Sequence, residues 1–302
     1  MSLTVLITGA KGLIGAPLVN LLLSQGHVIH TLSRSPGHEN PDIKEFGWDV
    51  EKGYIDQRSM EGVDAIIHLA GENIGAKPWT QKRKDAIILS RTKSLQLLFG
   101  VIQKTTTSEV KTLISASAVG YYGDRGDEIL TENSLPGIGF LANTCVQWEQ
   151  SADHAKTFGI RVIKLRTGVV LAKEGALKKM AGPVKSGFGA ILGSGKQWMP
   201  WIHLHDAVQA YLHALNNEQM EGVYNLCSPQ PVTNKTFIET LATIYRKKIW
   251  LPNVPDFALR ILLGEMKEII LSSNRTDSTK IRASGFIFKY RHLTEALHDL
   301  YE

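Results

Sequence analysis

The chain opens with a spacing that could hold a phosphate. Thr8-Gly9-Ala10-Lys11-Gly12-Leu13-Ile14-Gly15 follows an apolar run from Leu3 and leads at once into an apolar, helix-like segment ending at Leu23. Gly9 lets the chain turn tightly off a strand. Gly12 removes a side chain where a pyrophosphate must approach the backbone, and Gly15 lets the helix lie close on the sheet. The N–H groups at the helix start then face the anion. Strand, turn and helix in this order are the context such a glycine fingerprint needs. A tight turn that binds nothing is the bland alternative. A nucleotide cofactor is the expectation.

The end of the next strand, His27 to Leu32, bears on which nucleotide. An acidic residue there would hold a ribose 2′-hydroxyl, whereas an arginine accommodates a 2′-phosphate. The chain reads Ser33-Arg34-Ser35-Pro36-Gly37, with no acid in that place. A guanidinium can grip a phosphate bidentately, and Ser33 can donate a further hydrogen bond. The expected cofactor is therefore NADP(H).

Two more stretches carry candidate chemistry. Asp64 to Gly71 reads as a buried parallel strand, so Leu69, Ala70 and Gly71 should run beside the cofactor, with Glu72 and Asn73 just beyond. The strand from Val110 to Ser115 leads into Ala116-Ser117-Ala118-Val119-Gly120-Tyr121-Tyr122-Gly123. Ser117, Tyr121 and Tyr122 are the candidate catalytic residues, although packing is the commoner fate of such tyrosines.

The elements that must position these residues alternate strand and helix, which predicts an α/β, doubly wound parallel sheet. Thr80 begins a long helix with Ile87, Ile88, Leu95, Leu98 and Ile102 on its apolar side, and Arg91 on it could point back at phosphate. A helix is expected over Gly139 to Phe158 and a strand over Ile160 to Arg166. Residues 182–201 are rich in glycine and carry Trp198 and Trp201, which suits a mobile cover over a bound molecule. A long connector packed by two tryptophans is the equal alternative. Asp206 is expected to cap a helix over Ala207 to Leu215. Helices are also expected over Thr236–Tyr245, Phe257–Leu263 and Leu293–Leu300. Residues 1–170 would form the nucleotide-binding domain, with 201–228 returning to it. Residues 171–200 and 229–302 would form a smaller region covering the substrate.

The totals exclude several classes. Hydrophobic content of 43% and charged content of 21% are those of a soluble globule able to bury a sizeable core. The net charge of +5 suits anionic small ligands but is too mild, and too scattered, to argue for nucleic acid. Lys82-Arg83-Lys84 reads as a solvated helix face. The two cysteines, Cys145 and Cys227, make no disulfide framework, and no His/Cys spacing suggests a metal. No apolar stretch reaches membrane-spanning length, so no membrane partner is expected and the location read is the cytoplasm. An oligomer is possible, but nothing in the sequence indicates one.

These residues resemble the extended short-chain dehydrogenase/reductases, a Rossmann-type family, over nearly the whole chain. The resemblance rests on Thr8 to Gly15, His68-Leu69-Ala70-Gly71 and Ser117 to Gly123. More narrowly the chain resembles the "epimerase family" branch, through Leu69 to Asn73, Ser90-Arg91, Trp148-Glu149, Arg166 to Leu171, Pro200 to His203 and Gly285-Phe286. That branch binds NADP(H) and ends in a small C-terminal domain of unknown role. The resemblance implies cofactor contacts from Ser33, Arg34, Leu69, Ala70 and Arg91.

It also exposes a departure. The wider family uses a Tyr-x-x-x-Lys pair with a serine or threonine, the lysine lowering the phenol's pKa for proton transfer. Counted back from Glu149, the tyrosine place falls on Leu141 and the lysine place on Cys145, while the serine place falls on Ser117. Two readings follow. One is an NADP-dependent oxidoreductase or epimerase of a small molecule with a rearranged proton donor. The other is a non-catalytic NADP(H) binder that reports redox state. An ordinary sugar-nucleotide epimerase suits Leu141 and Cys145 least.

Overall fold

The computed structural model describes residues 2–37, 42–105 and 109–301. Strands β1 (Thr4–Thr8), β2 (Val28–Ser33), β3 (Ile43–Asp49), β4 (Tyr54–Ile55), β5 (Ala65–His68) and β6 (Thr112–Ala118) join β8 (Arg161–Thr167) and β12 (Gly222–Leu226) in one sheet. Its order is β12-β8-β6-β5-β1-β2-β3-β4. Every neighbouring pair is parallel except β3 and β4. The order reverses at β1, between β5 and β2, so a crevice opens beyond the carboxyl ends of these strands. The fold is a doubly wound α/β sheet of Rossmann type.

Alternation along β1 sends its side chains to two cores. Val5 and Ile7 pack with Leu18 and Leu22 of α1 (Gly15–Ser24) and with Tyr211 of α5 (Leu204–Asn216). Leu6 points the other way, to Leu95 and Leu98 of α2 (Gln81–Lys104) and Trp148 of α3 (Phe140–Asp153). Each fully buried Leu or Ile side chain contributes about 1.5–3 kcal/mol, so these layers fix the sheet between its helices. Thr80 caps α2 by accepting the Arg83 N–H. After α3 the chain passes through a 3₁₀ turn, His154–Phe158, and is stopped by Gly159 at φ 72°.

A third core unites α4 (Gly175–Lys185), α6 (Asn234–Ile244) and α10 (Leu293–Tyr301) around Leu177, Trp201, Phe237 and Leu297. Short ladders tie this region down: β7 (Ile129–Leu130) with β14 (Arg275–Thr276), β9 (Val169–Leu171) with β11 (Trp201–His203), and β10 (Trp198–Met199) with β13 (Val232–Thr233). Helices α7 (Asp256–Leu263), α8 (Glu268–Leu271) and α9 (Thr279–Ala283) complete the chain. No helix among the described residues is long and apolar enough to cross a membrane.

Three expectations need correction. The stretch 182–201 is no uniform cover: Gly182 lies within α4, and Trp201 is fully buried with its Nε1–H on the Gln230 carbonyl. Of the two tryptophans it is Trp198 that edges open space, beside Ser194, Gly195 and Lys196, with its Nε1–H on Asp127. Asp206 does not cap α5. The helix begins earlier, at Leu204, and His203 caps it by accepting the His205 N–H. Asp206 is fully buried within the first turn, where it accepts the N–H groups of Lys289 and Tyr290 at 2.9 Å each and so anchors the C-terminal segment. Burial raises its pKa, and those two hydrogen bonds oppose the rise. Finally, Lys82-Arg83-Lys84 is not simply solvated. Arg83 pairs with Glu72 at 2.7 Å, and Lys84 pairs with Glu265.

Candidate cofactor and substrate site

The glycine turn sits at the sheet's point of reversal. Gly9 has φ 72°, and a Cβ there would come within 3.0 Å of the Leu69–Ala70 backbone. A Cβ on Gly15 would stand 2.2 Å from the Gly9 carbonyl oxygen, so it is the turn, more than the sheet, that requires this glycine. Gly12 differs. Its Cβ would meet one atom, the Gly9 oxygen, at 3.1 Å. The protein's own packing therefore demands Gly9 and Gly15 and nearly tolerates a side chain at Gly12. Helix α1 opens at Ile14 with no side chain capping it and no acid in its first turn. An open face at Gly12 and an uncapped helix start are what a pyrophosphate requires, so these residues fit a dinucleotide.

At the end of β2, Arg34 is exposed, and the Ser33 hydroxyl is held in a local turn with Ser35. Lys11 leans over from the glycine turn and pairs with Glu45 of β3 at 2.8 Å. Glu45 also accepts the Gly37 N–H at 2.7 Å, which ties the loop after Arg34 to the sheet. His38, Glu39, Asn40 and Pro41 lie outside the described residues.

At the end of β5 the backbone is fixed by its neighbours. The Thr8 hydroxyl accepts the Leu69 and Ala70 N–H groups at 3.2 and 3.1 Å. Arg91 reaches back from α2, as its sequence position suggests, but its guanidinium is engaged by protein. It donates to the Ile87 and Glu72 carbonyls and lies 4.9 Å over the Trp148 ring. Burial lowers its pKa to about 10, still well above neutrality. A Cβ on Gly71 would strike this guanidinium at 3.0 Å, which explains that glycine.

Around Ser117 the polar groups close on one another. Its hydroxyl donates to Glu149 at 2.7 Å. Glu149 takes both arms of Arg166, Nε at 2.8 Å and the second nitrogen at 2.9 Å. Arg166 also donates to the Tyr122 hydroxyl, which donates to Asn225 at 2.6 Å. Burial works against the Arg166 charge, but Glu149 and then Tyr122 outweigh it and raise its pKa. Tyr122 is fully buried, and burial pushes its pKa up, away from any working range. The sequence left it either a catalytic candidate or a packing residue, and here its side chain is in the core. Tyr121 is half-buried, its ring 3.3 Å from the Arg166 guanidinium carbon.

Leu141 and Cys145 line one face of α3. Both pack on the turn after β6, where a Cβ on Gly120 would lie 3.2 Å from Leu141 and 3.9 Å from the Cys145 sulfur. Burial, with Glu149 adding, pushes the Cys145 thiol up to about 12. Beyond this face, over the start of α3, lies a cavity of about 740 Å³ bordered by Lys84, Gly139, Phe140 and the α7–α8 segment. Sequence reasoning missed Glu149 and Arg166 as partners in space. Only the Trp148-Glu149 and Arg166-Thr167-Gly168 signatures hinted at them. Among the described residues no group of three or more His, Cys, Asp or Glu is gathered to hold a metal.

A reversal-point glycine cradle with a strand-end arginine defines a dinucleotide-binding α/β protein of the extended short-chain dehydrogenase/reductase type. Residues 5–227 match the NAD dependent epimerase/dehydratase family, and residues 254–300 match a domain of unknown function, DUF1731. The chain is 36% identical over 300 residues to the epimerase family protein YfhF of Bacillus subtilis, covering 99% of this chain and 98% of that one. It is 36% identical over 299 residues to ML0860 of Mycobacterium leprae, covering 97% and 94%. The crystal structure of the human epimerase family protein SDR39U1 (isoform 2) with NADPH superposes with a TM-score of 0.86 at 28% identity, covering 99% of each chain. The UDP-glucuronic acid 4-epimerase of Bacillus cereus shares the fold at a TM-score of 0.78 and 18% identity. The chain belongs to the NAD dependent epimerase/dehydratase family.

Proposed function

We propose that this protein binds NADP(H) and uses it to interconvert hydroxyl and carbonyl groups on a small molecule, as an oxidoreductase or epimerase. The open Gly12 face between two packing-dictated glycines carries the reading. The N–H groups over Lys11–Gly15 would hold the pyrophosphate, with Leu69, Ala70 and Gly71 lining the path of the dinucleotide. Arg34 and Ser33 would meet the 2′-phosphate, and the human relative solved with NADPH supports that choice over NAD(H). Arg91 serves in this reading by fixing the Gly71–Glu72 backbone. When bound, the dinucleotide supplies or accepts a hydride. Of the candidate catalytic residues, Tyr121 is the one left facing the substrate in this assignment; Ser117 and Tyr122, whose hydroxyls are taken up by Glu149 and by Arg166 and Asn225, are assigned to the architecture.

The second reading, a non-catalytic reporter of redox state, is favoured by the apolar contact of Leu141 and Cys145 with Gly120. One experiment separates them. NADPH and NADH are titrated by fluorescence, and the complex is then mixed with a panel of aldehydes and 1,2-dicarbonyls. NADPH binding tighter than NADH binding, with NADPH consumed, is the expected result. Equal affinities overturn the cofactor assignment, and binding without consumption leaves the reporter.

A further inference from the structure

Away from the cofactor crevice, five large apolar side chains stand out from the smaller region. They are Phe188, Trp250, and Phe257, Ile261 and Leu262 of α7, each between 64% and 80% exposed. Backbone contacts join these positions into one strip. The Trp250 Nε1–H donates to the Gly187 carbonyl at 2.9 Å, beside Phe188. Further along, Val254 donates to the Ile191 carbonyl and accepts the Gly193 N–H, both at 2.8 Å, and α7 opens two residues later at Asp256. Within α7, Leu259 is buried, and Phe257 and Ile261, two positions to either side of it, take the opposite face. The helix is therefore apolar outward as well as inward, where a surface helix is ordinarily polar.

Positive charge flanks the strip. Lys185, Arg246, Lys247, Lys248 and Arg260 are exposed, and none forms an ion pair among the described residues. The nearby carboxylates are engaged: Asp256 by Lys267 at 3.0 Å, Glu265 by Lys84, and Glu268 by the Phe140 and Leu141 N–H groups. Arg246 also sits against its own backbone preference. Its φ is 54°, alone among the described non-glycine residues in being positive. Helix α6 stops there, with Arg246 donating to the Thr243 carbonyl and Lys247 to the Ala242 carbonyl. Glycine is the usual residue at that position of such a stop. A cation is kept where the backbone asks for glycine, and strain of this kind points to a use.

We propose that this strip docks on the anionic headgroups of a lipid bilayer, with α7 lying in the plane of the interface. The apolar side chains enter the acyl boundary, Trp250 sits at headgroup depth, and the five cations meet lipid phosphates. The expectation of no membrane partner rests on spanning length, which a helix lying in the interface does not need. A second copy fits this surface less well, because a two-fold contact between identical strips would set cations against cations.

The test sediments the full-length protein with phosphatidylcholine vesicles, with and without phosphatidylglycerol. Wild type is expected to sediment only with the anionic vesicles and to be released by salt. Its tryptophan emission should shift to the blue on binding, and Trp250→Phe should remove the shift. Phe257→Ser with Ile261→Ser should abolish sedimentation while melting as wild type does. Lys247→Gln with Lys248→Gln should weaken binding by about 30-fold. Arg246→Gly should weaken it by about fivefold, yet melt at a higher temperature, because glycine relieves the helix stop. Wild type that sediments with neither vesicle, or equally with both, overturns the inference. Binding that survives both double variants does so too. A wild-type dimer in gel filtration that the two serine substitutions convert to monomer, without vesicle binding, would instead assign the strip to a second copy.

Discussion

Two regions along the carboxyl edge of one sheet are built in opposite ways. At Gly9–Gly15 the backbone turns outward: a helix start without a side-chain cap, a glycine whose Cβ would meet a single backbone oxygen, and an exposed arginine one strand away. At Ser117 the side chains turn inward, and serine, glutamate, arginine, tyrosine and asparagine satisfy one another in the core. The first region leaves its hydrogen-bonding capacity for a ligand. The second uses its own to hold β6, α3, β8 and β12 together. Polar residues at a strand end are thus no guide to chemistry until their partners are known.

Gly12→Val breaks the first region most completely. The branched side chain would occupy the pyrophosphate's place while its Cβ meets one protein atom, the Gly9 oxygen at 3.1 Å, so NADPH binding is expected to vanish with a smaller change in the thermal melt than a substitution at Gly9 or Gly15 would cause. Circular dichroism and a fluorescence titration check it. A folded variant with normal affinity would show that the turn does not cradle phosphate.

Arg166→Met makes the complementary break. It leaves the buried Glu149 charge without its bidentate partner, and such a loss costs about 3–5 kcal/mol. Urea unfolding should register that loss, and the protein still folded should bind NADPH as before. A loss well under 1 kcal/mol would mean the Ser117 network does not stabilise the core.

The contrast also marks what could be read in advance. The glycine turn, the strand-end arginine and the doubly wound order were legible because each depends on local spacing: the turn on three glycines, the strands on short apolar runs. Strand β3 was not recognised, since Ile43-Lys44-Glu45-Phe46-Gly47 alternates poorly and carries two charges, one of which Lys11 neutralises from the neighbouring turn. The role of Asp206 was misread because a helix-start aspartate usually caps; here its partners lie more than 80 residues away, at Lys289 and Tyr290. Glu149 and Arg166 share that difficulty. Their meaning comes from partners that only the fold assembles, and no spacing along the chain announces them.

Arg34→Ala sharpens the first region. A charge-assisted hydrogen bond is worth about 1.5–3 kcal/mol, so NADPH affinity should fall by about ten- to a hundredfold while NADH affinity holds. Parallel titrations of both cofactors check this. No loss for NADPH would assign the 2′-phosphate to another group, and Lys11, beside Glu45, would be the next to test.

The smallest effect concerns the thiol at the lysine place. Burial pushes Cys145 up to about 12, and Cys227 likewise, whereas an unfolded thiol titrates near about 8.5. The folded value lies above the unfolded one. The thiols' contribution to stability is therefore whole below about pH 8.5 and is lost as pH rises toward 12. Cys145→Ser replaces one of these groups with a hydroxyl that does not titrate there. At neutral pH the variant should lose about 1 kcal/mol, the lower end of the cost of a poorly satisfied buried hydroxyl. Its stability should then decline less steeply than wild type in the alkaline range, as urea unfolding near neutrality and again near pH 10 would measure. Any NADPH-dependent turnover should survive the change, because a thiol that stays protonated against Gly120 exchanges no proton with a substrate. Rapid alkylation of Cys145 in the native protein at neutral pH, or loss of turnover with affinity and melting temperature intact, would make the thiol chemical and erase the contrast between the two regions.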